Sequence, residues 1–259
     1  MRAIVLGSGS GGNSVLVESG GKRLLLDAGF SCRETESRLR RVGVAPESLA
    51  ALLLTHEHDD HVKGARRLST RHRLPVYATA GTFAGGEPGA ELCAAGIRVR
   101  SGEPFEVAGF QVEPFAIPHD AREPVGYVVE DAAGHRLGLV ADLGCPSRLA
   151  WGRLRDLDLL LLETNHDLDM LRSGPYPWML KQRVAGRHGH LSNRQAADGL
   201  AELVRGRLRH VVAYHLSRTN NLPALAAAAL GEELDKLGAG SDVVISDQFN
   251  PTSWLEVTA

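Results

Sequence analysis

The segment that decides the fold is LLLTHEHDDHVKG, residues 52–64. Its apolar start has the composition of a buried strand, and HEHDDH then places three histidines and three acids in six residues. Imidazole and carboxylate groups two residues apart converge on one cation when a loop leaves a strand, and such ligands suit zinc, manganese or iron. We therefore interpret His56, His58, Asp60 and His61 as metal ligands rather than as part of a solvated polar loop.

Further ligands are expected at the ends of later strands, because four residues of one loop cannot enclose two cations. Three apolar runs each end in one polar residue: FAIPH in His119, LGLVAD in Asp142 and HVVAYH in His215. The carboxyl ends of parallel strands meet at one edge of a sheet, where they expose side chains to a ligand. A single residue of this kind is typical of a turn or a cap, but three together favour a metal site.

Composition limits the classes of partner. The chain has 259 residues, 43% hydrophobic and 23% charged, with a net charge of −2 when the histidines are neutral. This balance excludes a general positive field for a polyanion, so contact with nucleic acid depends on local basic stretches. The two candidates are RRLSTRHR (66–73) and KQRVAGRHGH (181–190), for which a solvated basic face is the alternative.

The pattern His56-x-His58-x-Asp60-His61, with three later ligands in order, resembles the metallo-β-lactamase superfamily. The resemblance implies an α/β fold, the four-layer αβ/βα sandwich in which two mixed β-sheets pack face to face with helices on the outer faces. It also implies a dinuclear centre in which Asp142 bridges the metals and Asp27 of LLLDAG orients a ligand from behind. By this resemblance the first metal is held by His56, His58 and His119, and the second by Asp60, His61 and His215.

Later motifs separate the subfamilies. Four stretches resemble the YycJ (WalJ) group of bacterial metallo-hydrolases, related to ribonuclease Z-type nucleases: ETNHD (163–167), SGPYPWMLKQRV (173–184), GHLSN (189–193) and HLSRTNN (215–221). The resemblance implies DNA exonuclease activity, with nucleic acid as the partner. The distance from Asp142 to His215, 73 positions (215 − 142), leaves no room for a large inserted domain and predicts a single domain over residues 1–259.

We predict a metal-dependent hydrolase with a dinuclear centre whose bridging hydroxide attacks a phosphodiester of DNA. Two divalent metal ions are the expected cofactors, zinc first, with manganese or iron as alternatives. Asp60, His190 and Glu163 are the predicted catalytic residues: His190 protonates the leaving oxygen and Glu163 orients His190. The alternative for His190 is a turn histidine that caps the next helix. The alternative function is a thioester or lactone hydrolase, similar to glyoxalase II, with the same site.

The glycine stretch GSGSGGNS, residues 7–14, satisfies the pattern G-x-G-x-x-G of dinucleotide-binding loops. It runs into NSVLVES and Gly20-Gly21, which predict a strand and a hairpin turn instead of the helix that a pyrophosphate requires. We therefore expect a tight turn beside the site, where Ser10 and Asn13 hydrogen-bond a substrate phosphate. His166 of ETNHD either lines the substrate cleft or lies in a loop.

Local patterns predict further elements. A helix is expected over 191–206 with Ser192 as its N-cap, and a loop followed by a short helix over 84–96. YPWM, residues 176–179, is interpreted as a packed loop, with an aromatic surface that stacks on a base as the alternative.

The cysteines and the apolar runs indicate a compartment. The three cysteines form no C-x-x-C pair, and neither a signal peptide nor an apolar stretch of about 18 residues is present. We therefore expect a cytoplasmic protein without a membrane partner. The oligomeric state, a homodimer included, the choice between DNA and RNA, and exo- or endonucleolytic action stay open.

Overall fold

Strands and helices alternate along the chain in a computed structural model that describes residues 1–85, 96–204 and 206–257. The strands are β1 (Arg2–Gly7), β2 (Ser14–Ser19), β3 (Lys22–Leu26), β4 (Ala51–Leu53), β5 (Val76–Ala78), β6 (Gly96–Arg98), β7 (Phe105–Val107), β8 (Phe110–Ala116), β9 (Val125–Glu130), β10 (Arg136–Val140), β11 (Leu159–Glu163), β12 (His210–Tyr214), β13 (Asp242–Ile245) and β14 (Leu255–Glu256). The helices are α1 (Cys32–Arg41), α2 (Asp59–Val62), α3 (Ala65–His72), α4 (Ala80–Ala84), α5 (Arg148–Arg153), α6 (Leu168–Ser173), α7 (Trp178–Val184), α8 (Asn193–Leu203) and α9 (Pro223–Lys236).

Two mixed sheets organise these strands. The first has the spatial order β14-β1-β2-β3-β4-β5-β6, and the second β13-β12-β11-β10-β9-β8-β7. In the first sheet β3 to β6 run parallel, and the strands on the other side of β3 are antiparallel. In the second, β10 to β13 run parallel and β7 to β10 are antiparallel. Each sheet therefore has a parallel part whose carboxyl ends share an edge.

The sheets pack face to face because both faces of their central strands are apolar. In β1, Ala3 and Val5 join a cluster with residues of β9 to β12, whereas Ile4 and Leu6 pack with α1 and α3. The outer face of the second sheet packs against α5, α8 and α9. Strands buried on both faces are expected to be near-continuous apolar runs, and the sequences of β1 to β4 have that character. The predicted four-layer αβ/βα sandwich is confirmed.

Most of the local predictions are confirmed. Gly20 and Gly21 have φ of 57° and 72° between β2 and β3, as a two-residue hairpin turn requires. Ser192 caps α8 through a capping box with Gln195. Helix α8 ends at Leu203, before the predicted boundary at 206. The stretch after Gly12 is a strand, so the glycines do not open a helix.

One local prediction is wrong, and another falls mostly outside the described residues. YPWM is not a packed loop: Trp178 and Met179 begin α7 and are 70% and 75% exposed. The short helices α5 to α7 have too few turns to show an apolar period, so the sequence did not predict them. The prediction for 84–96 falls mostly on residues 86–95, outside the described ranges. Among the described residues, no helix has the length and apolarity needed to cross the hydrocarbon of a bilayer.

Candidate metal centre

The strand ends bring the predicted ligands to one edge of the sandwich. The parallel strands β3 and β4 lead to Asp27 and to His56, and β10 and β12 lead to Asp142 and His215. Strand β8 runs in the direction of β10, because each is antiparallel to β9, and its end delivers His119 to the same edge. The sequence patterns therefore predicted the shared edge correctly from strand direction alone.

Histidines of two strand ends form a first group of ligands. His56, His58 and His119 offer nitrogen atoms that lie within 4.8 Å of one another. His58 Nδ1 lies 3.2 Å from His119 Nε2, and the side chain of His58 is 33% exposed. Three convergent imidazoles, with one on the surface, suit a cation that a substrate can approach.

A second group joins the other side of the loop to the end of β12. Asp60, His61 and His215 also offer ligand atoms within 4.8 Å of one another. Asp60 Oδ2 lies 3.2 Å from His215 Nε2 and 3.7 Å from His61 Nε2. The two groups are adjacent, since the ring centroids of His56 and His61 are 4.2 Å apart.

Asp142 lies between the two groups. Its Oδ2 is 2.8 Å from His61 Nε2 and 3.5 Å from His56 Nε2. Although Asp142 Oδ2 lies within ion-pair distance of His61, it and His56 Nε2 are buried and make no hydrogen bond of acceptable geometry among the described residues. Buried polar atoms are costly without a partner, and a shared cation satisfies both atoms at once. The donor set therefore fits divalent metal ions on either side of Asp142.

Asp27 and Thr55 form a platform beneath this centre. Asp27 is completely buried, and its Oδ2 lies 2.7 Å from His61 Nδ1. Its Oδ1 accepts a hydrogen bond from Thr55 N, while Thr55 Oγ1 lies 3.0 Å from His56 Nδ1. The two imidazoles are thus held from behind with Nε2 facing the cations, an arrangement that fixes ring orientation and tautomer. The sequence predicted Asp27 in this place but did not identify Thr55, whose signal is its position directly before His56.

Glu163 and His190 form a pair beside the ligands. The carboxylate of Glu163 is completely buried at the end of β11, and its Oε1 lies 2.7 Å from His190 Nδ1. The same nitrogen is 3.0 Å from Asp142 Oδ1, and the side chain of His190 is 23% exposed. Geometry alone also allows Asp142, Glu163, His190 and His215 to enclose a cation. His190 is therefore anchored on one side and open to the solvent on the other.

Opposite charges set the protonation of the metal-free centre. Burial by itself lowers the pKa of His61 and His215, but Asp142 and the other nearby carboxylates raise both well above the ordinary 6.5. Burial and the charge of His61 lower the pKa of His56, which is neutral. Burial alone raises the pKa of Asp142, yet His215 and His61 bring it well below its ordinary range. Because metal ligands must be deprotonated, a cation bound here would displace the protons of His61 and His215.

Positive φ angles mark three of the strand ends. Asp27, Asp142 and His215 have φ of 59°, 54° and 58°, in the left-handed region that non-glycine residues rarely adopt. Each residue directly follows or ends a strand run and directs its side chain into the centre. Such strain persists only where surrounding contacts fix it, and it concentrates at functional sites. No sequence pattern indicated these conformations.

The glycine-rich turn supports the ligand loop from the side. Asn13 is completely buried, and its Nδ2 lies 3.2 Å from Asp60 O and 3.1 Å from His61 Nε2. A Cβ atom at Gly29 would overlap the carbonyl of Asp60, so this close approach requires glycine. The expectation that Asn13 reaches a substrate phosphate is therefore corrected: it positions the loop that carries Asp60. Ser10 is exposed at the tip of the turn.

Two further residues near the candidate ligands differ from what the sequence indicated. His166 is completely buried, in a bridge with Ser192, and neither ring nitrogen has a hydrogen-bond partner among the described residues. Of the two alternatives for His166, the structure favours the loop: the residue lies between β11 and α6, beneath the surface, and does not line a cleft. Asp120 was not predicted, although it follows His119 directly. Its Oδ1 lies 3.2 Å from His119 Nε2, and its Oδ2 accepts a 2.8 Å hydrogen bond from Arg183 Nε.

Comparison with known families gives matches over most of the chain. The family described as "Beta-lactamase superfamily domain" matches residues 22–215. The exodeoxyribonuclease YycJ of Bacillus anthracis is 34% identical, with 91% of this chain and 90% of that protein covered. The exodeoxyribonuclease WalJ of Streptococcus pneumoniae D39 is also 34% identical, with coverage of 96% and 94%.

More distant matches agree with this result. Ribonuclease Z of Bradyrhizobium diazoefficiens is 29% identical over 60% of this chain and 57% of that protein. Among solved structures, the metallo-β-lactamase fold protein YhfI of Bacillus subtilis aligns with a TM-score of 0.72 and 19% identity. That alignment covers 97% of this chain and 98% of YhfI, and at this identity it supports the fold alone.

Proposed function

This chain belongs to the β-lactamase superfamily, and on that premise we propose that it is a metal-dependent DNA exonuclease. The two relatives at 34% identity are both named exodeoxyribonucleases, and each aligns over nearly its whole length. The ribonuclease Z relative extends the likeness to enzymes that cleave phosphodiesters. These names favour nucleic acid over the thioester or lactone substrates of the alternative function.

The observation that carries the proposal is the Glu163–His190 pair beside Asp142. Hydrolysis of a DNA phosphodiester expels an alkoxide, which needs a proton as the bond breaks. His190 has its Nδ1 bound between Glu163 and Asp142, which leaves Nε2 for the substrate. Burial by itself lowers the pKa of His190, but Glu163 and Asp142 raise it to about 10, so the ring carries a proton at neutral pH.

We propose that the centre holds two divalent metal ions, with zinc as the metal. The first would be held by His56, His58 and His119, the second by Asp60, His61 and His215, with Asp142 between them. Bound metal ions lower the pKa of water and neutralise charge that develops on phosphate oxygens. Five histidines with two carboxylates are a set typical of zinc, and manganese or iron accept the same donors.

The chain's own residues supply orientation and the proton. Asp27 holds the ring of His61, and the side-chain amide of Asn13 hydrogen-bonds the main-chain carbonyl of Asp60. These contacts fix the orientation of His61 and Asp60 relative to the substrate. His190 donates its Nε2 proton to the leaving oxygen, while Glu163 stabilises the positive ring. Ser10, exposed at the tip of the glycine turn, stays a proposed contact to a substrate phosphate.

We place the enzyme in the cytoplasm. Cys32 and Cys145, the two cysteines within the described residues, are both free thiols, which suits a reducing compartment. A DNA substrate supports the same location.

A side-by-side assay tests the proposal. End-labelled single-stranded and duplex DNA, RNA, bis(4-nitrophenyl) phosphate and a glutathione thioester are incubated with the protein, and its metal content is measured on the same sample. We expect mononucleotides to be released from DNA ends and the thioester to stay intact. Asp142→Ala is expected to abolish turnover, whereas Arg209→Ala, an exposed residue directly before β12 at the opposite edge, leaves it unchanged. A metal-loaded protein that cleaves the thioester but not DNA contradicts the proposal.

A further inference from the structure

Helix α7 does not contribute to the core. None of its seven residues is buried, and Trp178 and Met179 are 70% and 75% exposed. By contrast, the neighbouring α8 buries six residues against the second sheet. A helix of two turns is marginal in water without tertiary packing. Large apolar side chains on such a helix therefore act on something other than the fold.

Polar contacts attach the far end of α7 to the active site. Val184 O accepts a 2.9 Å hydrogen bond from His190 N, so the last residue of the helix abuts the proposed proton donor. Arg183 is bonded to Asp120, which contacts His119. Trp178 stands six positions before Val184, and at about 1.5 Å of rise per residue its Cα lies about 9 Å from that of Val184 along the helix axis.

The surroundings of Trp178 are positively charged. Residues 170–197 contain no aspartate or glutamate. The same stretch carries five cationic residues, all exposed except Lys181: Arg172, Lys181, Arg183, Arg187 and Arg194. Arg172, Arg183 and Arg194 pair with carboxylates outside the stretch, whereas Lys181 and Arg187 have no ion pair among the described residues. Cationic side chains that flank an exposed aromatic ring are the combination by which proteins hold single strands, because phosphates meet the cations and bases stack on the ring. A second copy of the chain would bring the same cations against this face, which disfavours self-association.

We infer that Trp178 stacks on an unpaired base of the substrate strand, a few nucleotides from the phosphate that His190 serves. The inference rests on the proposed function and adds a preference for single-stranded or frayed DNA. Adjacent nucleotides of one strand in a duplex rise by about 3.4 Å, so about 9 Å corresponds to two or three nucleotides.

An abasic scan of the substrate tests this contact. Trp178→Ala, Trp178→Phe and wild type are compared on single-stranded oligonucleotides with one abasic nucleotide at each of the first five positions from the cleaved end. We expect Trp178→Ala to raise KM about 5- to 140-fold on intact DNA, the range typical of lost base stacking, with kcat little changed. Wild type should lose affinity at one abasic position, and the alanine variant should be insensitive there. Trp178→Phe should keep most of the wild-type affinity and the wild-type sensitivity to that abasic position.

Controls separate this inference from the proposed function. Leu237→Ala removes a 39% exposed apolar side chain at the end of α9, and it should leave KM unchanged. Bis(4-nitrophenyl) phosphate is too short to reach Trp178, so every variant should cleave it like wild type. If wild type degrades DNA with the same KM at every abasic position, and Trp178→Ala keeps the wild-type KM, the stacking contact is refuted. That result leaves the proposed nuclease function intact. If wild type cleaves the small diester but no DNA, both proposals fail. A wild-type dimer that Trp178→Ala converts to a monomer identifies the surface as a self-interface and overturns the inference.

Discussion

Replacement of His190 by alanine separates proton donation from metal binding. The ring nitrogen Nδ1 lies 2.7 Å from Glu163 Oε1 and 3.0 Å from Asp142 Oδ1. Burial by itself lowers the pKa of His190, but these two carboxylates raise it to about 10. In the metal-free centre the ring of His190 therefore carries its proton at pH 7. Loss of a positioned general acid costs about 10²- to 10⁴-fold in rate. We expect His190→Ala to lower kcat/KM on DNA by that factor.

Glu163→Gln tests the same pair through pH. One neighbouring carboxylate shifts a pKa by about 1–3 pH units, so the variant should bring the pKa of His190 to about 7–9. The raised pKa keeps the acid protonated below it, and activity that needs the acid is lost as pH rises through it. The DNA rate of Glu163→Gln should therefore fall tenfold per pH unit from about pH 8, where wild type is still flat.

The assay compares two leaving groups and counts metal ions. Rates on end-labelled DNA and on bis(4-nitrophenyl) phosphate are measured from pH 6 to 10, with metal content determined for each variant. Nitrophenolate leaves without a proton, so both variants should cleave the diester almost like wild type. His188→Ala, an exposed histidine two residues before His190, is the matched control. Equal losses on both substrates, or a missing metal ion in His190→Ala, would refute the assignment of His190 as the acid.

Three other substitutions test the supporting contacts. Asp27→Asn should weaken metal affinity about 10- to 100-fold, measured by chelator competition, because it holds His61; unchanged affinity contradicts this role. Asn13→Ala should reduce metal occupancy and leave KM unchanged in the metal-saturated protein, because Asn13 holds the loop of Asp60. A raised KM with full metal occupancy would instead show that Asn13 contacts the substrate. Glu36 is buried and hydrogen-bonded to His72. Burial by itself raises the pKa of Glu36, but the contact with His72 lowers it below the ordinary 4.5. The stabilisation from this contact is therefore lost as the pH falls below about 4.5. Glu36→Gln should cost about 1.5–3 kcal/mol at pH 7 in urea unfolding and less at pH 3; a constant cost is inconsistent with the ion pair.

The chemistry of the site was already visible in the sequence. Ligand identity depends on residue type, and the spacing of His56, His58, Asp60 and His61 after an apolar run is a local property of the chain. The positions of the later candidate ligands were also predictable, because each ends an apolar run and parallel strands end at one edge. The same local rules predicted the hairpin at Gly20-Gly21 and the cap at Ser192.

The tertiary structure alone decided which polar groups act and which support. Asn13 was expected to contact a substrate phosphate, and only the packing of the sheets shows that it is buried behind the candidate ligands. The position of Asp142 Oδ2 between His61 and His56 depends on how the two sheets face each other, a long-range distance that no local pattern encodes.

The exposure of Trp178 also depends on the tertiary structure and not on the local sequence. An aromatic residue in YPWM is compatible with a packed loop, and its neighbours in the chain do not settle whether it is covered. Burial depends on which remote elements reach a side chain, and none of the residues of α7 is buried. The sequence thus indicated the candidate ligands and the strands that carry them, because those follow from residue type and local spacing. The fold decided the distances between the candidate ligands, the supporting contacts of Asn13 and Thr55 and the exposure of the indole, because those depend on contacts between distant parts of the chain.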